Sequence, residues 1–530
     1  MTIINALPYT IANGQAVDAT PVMADLNQIV TSVNANAVAS ATLAASGGAS
    51  LVGYSQGASG SVSRTVAAKL QESVSVLDFG ADPTGATFSD TAFADAAAAA
   101  WKVLVPAGTY KTQAAISRPA GVTFIGQGRQ KTIITATGNY PVFQTIGTST
   151  ASLLGGGVQN MTLFGTWGAN NANTASMGIS ESWTNRSIHR DLEIYGCYVG
   201  MYGNQGLWQV VWDNITVDGS GANQNYIGFM LDALPTTLPA GTSNAVIGSN
   251  LIAQGVANTG FRLVNPNGSK FVNSEAENGL YGWLIGNTSS GNYPIEFLHV
   301  ANSLADTCTN YGLVIQQGSN ASAATDMQFA NCWSGNCGTG VLLDGCSGIN
   351  LTNFQSDGHQ GSGLVLNNSA HCVITSFQFN GNNTAGTSGI GDITISGGSY
   401  NKIADCVSNP ASSASVSLLE SNGTANNDIH GCTLFQGATL LGNNGTTIRS
   451  CPGYAPANTA LTAGASPYTF PTYPYDAMIL IGSTGGMTSL AVKGTGISTS
   501  AGSTFFVKAG TSVVATWATT APTFEIIPMV

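Results

Sequence analysis

Between residues 178 and 366 a glycine followed by alternating large apolar residues keeps returning. It occurs as Gly178-Ile, Gly200-Met-Tyr, Gly228-Phe-Met-Leu, Gly260-Phe-Arg-Leu, Gly282-Trp-Leu-Ile, Gly312-Leu-Val-Ile, Gly340-Val-Leu-Leu and Gly363-Leu-Val-Leu, at intervals of 22 to 32 residues. A second apolar set lies between them, in Ile295-Glu-Phe297, Met327-Gln-Phe329, Leu351-Thr-Asn-Phe354 and Val373-Ile-Thr-Ser-Phe377, and places an aromatic after each turn. Each repeat therefore predicts two or three short strands. Nothing between them is long enough for a helical crossover, which excludes βαβ units. Hairpins would need close Asn-Gly pairing from one strand to the next, which the spacing does not supply. A propeller needs antiparallel blades of more even period. A solenoid of parallel coils remains, each coil stacking like residues on the last. The mean period is about 26 residues, so residues 73–450 hold about fourteen coils.

The flanks read differently. Residues 16–39 place Val17, Val22, Met23, Leu26, Ile29, Val30 and Val33 at roughly helical spacing, with Asp18 or Thr20 as cap and Pro21 in the first turn. So short an amphipathic helix must dock or self-associate. Residues 41–72 are rich in Gly, Ser and Ala and read as a linker, with one or two helical turns at TVAAKLQE. Val74, Val76 and Phe79 predict a strand, Asp90 the cap of an Ala-rich helix over 91–101, and residues 103–105 the next strand. Residues 452–530 carry a Pro/Tyr cluster and then short alternating strands at 478–481, 489–492, 504–507 and 513–517, a small antiparallel β-domain.

The run VSVLDFGADPTG, a short helix and then VLVPAGTY resembles the opening of the pectate-lyase-like β-helix superfamily. The segments LPYTIANGQAVDATPVMADLNQIVTSVNANA and VGYSQGASGSVSRTVAAKLQESVSV resemble the virion-proximal part of bacteriophage tailspikes. Together they cover about the first 110 residues. The resemblance implies an all-β protein with a right-handed parallel β-helix (a pectin-lyase-like solenoid), a short helical N-terminal segment and a small C-terminal antiparallel β-domain. It divides the chain into a virion-attachment segment over 1–40, a neck over 41–72, a β-helix over 73–451 and a C-terminal β-domain over 452–530. It also implies a homotrimer, contact of residues 1–40 with other phage tail or baseplate proteins, and a place in the virion tail. The C-terminal module would serve trimer assembly or receptor contact.

Composition narrows the partners. Only 8% of residues are charged while 43% are hydrophobic, which argues against disorder. The formal charge of −11 argues against nucleic-acid binding, because neutralising phosphates needs clustered Lys and Arg. The first residues lack the basic and apolar regions of a signal peptide, and no apolar run is long enough for membrane insertion, so synthesis in a bacterial host cytoplasm is expected. The nine cysteines are odd in number. Cys332 and Cys337 permit half a zinc site, but no second pair completes it, so core thiols are expected and no metal centre. Cys346, Cys372, Cys406 and Cys432 recur at coil-like intervals, which suits an interior ladder.

Residues 271–401 contain neither Lys nor Arg, yet hold Glu275, Glu277, Glu296, Asp306, Asp326, Asp344, Asp357 and Asp392, a formal charge of −8. Such a surface repels a polyanion and lacks the cationic base of a β-elimination lyase. It suits a neutral glycan, or one bridged by Ca²⁺. Aligned on the repeat glycines, Glu275, Glu277, Asp306 and Asp357 fall at one corner of nearby coils and are the candidate catalytic residues. Coils stack about 4.8 Å apart, so carboxyls one or two coils apart span glycosidase separations. Solvated corner residues are the plain alternative, and Glu193 shares their position. Trp333, Tyr281 and Tyr293 are the candidate sugar-stacking rings, while Trp283 follows a repeat glycine and reads as core. His189-Arg-Asp-Leu192 copies a kinase loop without its Asn, Gly126-Gln-Gly128 is a turn without a following helix, and His359 and His371 read as a polar corner and a core edge. The expected function is attachment to a bacterial capsule or O-antigen, with depolymerisation by glycoside hydrolysis. The alternatives are a non-catalytic receptor-binding fibre and a polysaccharide lyase; a free secreted pectinase-like enzyme fits the first residues poorly.

Overall fold

The computed structural model describes residues 18–36, 40–168, 171–219, 221, 224–232, 243–264, 266–286, 295–316, 324–412, 415–440, 446–454, 459–471, 473, 475–497 and 500–529. The chain forms two compact units, Met1–Val74 and Ser75–Val530. In the first, Asp18 accepts a hydrogen bond from the Thr20 amide at the start of the helix Ala19–Asn36. A two-stranded antiparallel pair, Gly53–Tyr54 with Arg64–Thr65, leads into the short helix Val66–Leu70. Glu72 receives both Arg64 and Lys69.

The second unit is a right-handed parallel β-helix. One sheet stacks thirteen strands, from Ile116–Ser117 to Ala438–Leu440, with neighbours in parallel register. The other wall bends within each coil, so that a strand such as Lys270–Val272 continues after a kink as Glu275–Glu277.

The repeat glycines form one column of this solenoid. A Cβ on Gly178, Gly200, Gly228, Gly260, Gly282, Gly312 or Gly340 would lie 2.4–2.9 Å from the carbonyl oxygen of the next repeat glycine. No side chain fits there, which is the physical reason the glycine returns once per coil. The alternating residues that follow are buried in ladders. Phe261 lies stacked between Phe229 (4.9 Å, 9°) and Trp283 (3.9 Å, 6°), so Trp283 is core. The second aromatic set splits into three positions: Phe354 stacks on Phe377, Phe329 is aligned with Leu351, and Phe297 is 54% exposed.

The kink of the bent wall has its own column. Asn250, Asn273, Asn302, Asn331 and Asn353 all take left-handed backbone with φ of 51–56°, which Asn tolerates better than most residues. Their amides join across coils, Asn353 Nδ2 donating to Asn331 Oδ1 at 2.8 Å and Asn331 Nδ2 to Asn302 Oδ1 at 3.3 Å.

Near residue 75 the expected strand is short. Only Val74–Ser75 is extended, and Val76–Phe79 is a 3₁₀ turn. Ser75 caps the Leu77 amide, Asp78 accepts from the Ser75 amide, and left-handed Gly80 ends the turn. The Ala-rich helix spans Asp90–Ala99. Asp90 does not cap it; its Oδ1 accepts from the amides of Gln113 and Ala114 and ties the helix to the following coil. The C-terminal strands form two four-stranded antiparallel sheets around Ile479, Ile481, Leu490, Ala515 and Ile526. No helix among the described residues is long and apolar enough to cross a membrane.

Candidate functional site

The carboxylates lie on the outward side of the bent wall. In Glu275–Glu277 the middle residue, Ala276, points into the core, so both glutamates face out and are half-buried. Strand register aligns Glu277 with Asp306, Asp306 with Gly335, and Gly335 with Asp357. Three of the four candidate acids therefore share one column. Glu275 belongs to the neighbouring column, which runs Glu193, Thr216, Ile252, Glu275, Leu304, Trp333 and Gln355. The expectation of a single column is corrected in that respect: an i, i+2 pair faces one way but occupies two columns.

The surroundings give each acid a different character. A hydrogen bond with the Glu277 carboxyl, then burial, then the charges of Glu277 and Asp306 push Glu275 up to about 7. Asp306 Oδ1 accepts from Thr307 Oγ1 (3.0 Å) and Asn336 Nδ2 (3.1 Å). Asp357 Oδ2 accepts from Trp333 Nε1 (2.7 Å) and Gln355 Nε2 (2.6 Å), while its Oδ1 is buried without a partner. Trp333 is half-buried, and its ring lies over Gly335, where a Cβ would meet indole carbons at 2.3 and 2.4 Å. The indole thus fills the gap that the glycine leaves between Asp306 and Asp357.

Tyr281 is elsewhere. It starts the strand Tyr281–Ile285 in the thirteen-stranded sheet and stacks on Tyr311 of the next coil, with centroids 6.1 Å apart and planes 7° from parallel. These rings border a groove of about 390 Å³ with Asn258, Arg262, Gln316 and a floor of Leu284, Val314 and Leu342. Among the described residues no carboxylate lines it. The acids and the tyrosines therefore occupy separate surfaces, joined in sequence by the turn 278–280. Tyr293 lies outside the described residues. Sequence reasoning missed Arg262, Tyr311, Asn258 and Gln316. Two of them carried a signal: Tyr311, like Tyr281, directly precedes a repeat glycine, and Arg262 is the outward residue of Gly260-Phe-Arg-Leu.

Other chemical look-alikes are structural. All nine cysteines are free and buried, and each thiol points to the carbonyl two residues earlier, as in Cys337 to Gly335 (3.1 Å) and Cys406 to Ala404 (3.2 Å). Burial pushes the Cys332 and Cys372 thiols up to about 11. His359 is fully buried rather than a polar corner, bridging Ser334 Oγ (2.9 Å) and the Cys337 amide (3.0 Å). His371 stacks on Tyr400. His189 lies in a buried network in which Glu181 also meets Arg118 (2.8 Å) and Ser187 (2.9 Å). Among the described residues no group of three or more His, Cys, Asp or Glu side chains is arranged to hold a metal ion.

Comparison with known proteins follows the architecture. Residues 73–175 match the family model described as rhamnogalacturonase A/epimerase, pectate lyase-like. None of the curated proteins matches the chain. Tailspike protein 3 of bacteriophage CBA120 superposes with a TM-score of 0.56 at 14% identity, over 85% of this chain and 71% of that one. The Dettilon tailspike protein gives 0.50 at 12%, over 87% and 95%. The A-module of the mannuronan C-5 epimerase AlgE6 of Azotobacter vinelandii gives 0.50 at 17%, over 72% and 100%. At such identities the likeness establishes architecture: the second unit of this chain has the pectate-lyase-like, right-handed parallel β-helix fold.

Proposed function

We propose that the chain is a phage tail protein that binds a bacterial surface polysaccharide and hydrolyses it on the carboxylate face. Two of the similar solved structures are tailspikes, and one is an enzyme acting on a polysaccharide. In this reading three copies associate, residues 1–40 dock on other tail or baseplate proteins, and the protein is made in the host cytoplasm and resides in the virion tail.

One observation carries the hydrolytic part: Glu275 faces out beside Glu277 and diagonal to Asp306 of the next coil, a crowding of acids that pushes its carboxyl up to about 7. A carboxylic acid that stays protonated near neutrality next to other acids is the arrangement that separates proton donor from base. Glu275 and Asp306 stand diagonally on adjacent coils, their Cα atoms about 8 Å apart by strand geometry, a placement from which two outward carboxyls can take the wider separation of an inverting pair. Glu275 protonates the leaving glycosidic oxygen, Asp306 takes a proton from the attacking water, and the C–O bond breaks as water adds. Glu277 holds the Glu275 proton in place, and Asp357 orients Trp333 for the sugar face. The test is incubation with host capsule or O-antigen, following reducing ends and the absorbance of unsaturated uronates. Reducing ends without that absorbance, a first product of inverted anomeric configuration, loss of rate above about pH 7, and a 10²-fold or larger drop in Glu275→Gln are expected. Retained configuration, or full activity in Glu275→Gln, removes this site.

The second reading is a receptor-binding fibre without catalysis. It is favoured by the groove at Tyr281 and Tyr311, which among the described residues has rings and hydrogen-bonding groups but no carboxylate in its lining. Binding of host glycan with no new reducing ends selects it.

A further inference from the structure

The acidic stretch argues for a neutral ligand, but it begins nine residues after Arg262. Arg262 sits on Thr259–Leu263, aligned with Met230 and Leu284 on adjacent coils, and its side chain reaches the groove beside Tyr281 and Tyr311. Its Nε is buried without a hydrogen-bond partner, and among the described residues Arg262 forms no ion pair. Leaving a donor of a guanidinium unpaired at a half-buried position is costly, and the cost is recovered when an acceptor arrives. The planar fork matches a carboxylate through two parallel hydrogen bonds. Around it are two parallel phenol rings, which offer sugar-sized flat surfaces, and the amides of Asn258 and Gln316, which can pair with hydroxyls. The floor of Leu284, Val314 and Leu342 matches the apolar face of a pyranose ring.

We propose that this groove is a binding site for a carboxylated sugar, a uronic acid or a sugar bearing an acidic substituent, with Arg262 as the residue that selects it. The inference rests on the glycan-binding reading above and adds the class of residue that the glycan must contain. It also assigns the two surfaces different work. The carboxylate face, built from the stretch without Lys or Arg, repels acidic sugars and accepts neutral ones, while the groove at Arg262 holds the acidic member of the same heteropolysaccharide.

The experiment uses the full chain and immobilised bacterial capsular polysaccharides, each presented native and in carboxyl-reduced, neutral form. Binding is expected to native acidic polymers and to fall about tenfold or more on reduction, the size of losing a charge-assisted pair. Arg262→Gln is expected to lose as much on the native polymer and nothing further on the reduced one. Arg262→Lys, which keeps the charge but not the fork, is expected to fall between. Unchanged thermal melting of these variants separates recognition from folding. Binding that survives both carboxyl reduction and Arg262→Gln within twofold overturns the Arg262 site while leaving glycan binding standing. Absence of binding to every polysaccharide overturns both.

Discussion

Glu275 shows how a single position acquires chemistry from its neighbours. The backbone sets it two residues from Glu277 on one outward face, and strand register sets Asp306 across the gap. Three acids crowd together, and the proton one of them retains belongs to the group as a whole. The consequence for stability has a definite sign. The folded-state pKa of Glu275 is raised from 4.5 to about 7, so its contribution is complete below about pH 4.5 and is lost as pH rises through about 7. Urea midpoints measured at pH 4.5 and pH 8 should therefore differ more in the wild type than in Glu275→Gln. Equal differences would show that the carboxyls do not share a proton. Gly335 is a second case. Gly335→Ala places a methyl inside the Trp333 ring, so the indole must leave Asp357. Trp fluorescence is expected to shift to the red, and sugar binding on that face to weaken.

At the scale of the element, the ladders decide what the sequence could reveal. The glycine column was legible because one steric requirement, no room for a Cβ beneath the next carbonyl, repeats with one residue type. The asparagine column was not, because its requirement is a left-handed backbone, which Gly, Asp, Ser or Thr meets at other coils: Asp405, Ser376 and Gly431 stand at kinks of this kind. The Trp333–Asp357 bond joins residues 24 apart and has no local signature. Arg262 is the outward residue of Gly260-Phe-Arg-Leu, a position that a plain solvated charge fills equally well, so its groove was not legible. The two ladders predict different costs. Asn331→Ala forces an L-residue with a Cβ into left-handed backbone and removes amide bonds to Asn302 and Asn353, for about 2 kcal/mol. Phe261→Ala removes a ring stacked on both sides in the core, for about 3–5 kcal/mol. Denaturant midpoints check both, and a larger loss at Asn331 than at Phe261 would contradict this picture of the wall.

At the scale of the whole molecule, only 8% of residues are charged, so exposed apolar surface has few charges around it. Its early coils expose apolar side chains in register. Ile188 (43% exposed), Val211 and Ile247 (42%) form one ladder, and in another Leu154 (53%) and Trp208 (58%) stand on either side of Asn185. Isolated apolar residues on a surface need no explanation, but aligned ones on successive coils make a contiguous strip. If the proposed trimer forms, a strip of this kind is what copies of the chain would cover, since a closed three-fold arrangement buries the same strip on each. Sedimentation equilibrium should then give three times 53.9 kDa, about 162 kDa. Trp208→Glu puts a charge into the strip and is expected to shift the mass toward a single chain while leaving the far-ultraviolet spectrum of the β-helix unchanged. A wild-type mass of one chain would remove the trimer. A trimer indifferent to Trp208→Glu would move its interface to another face.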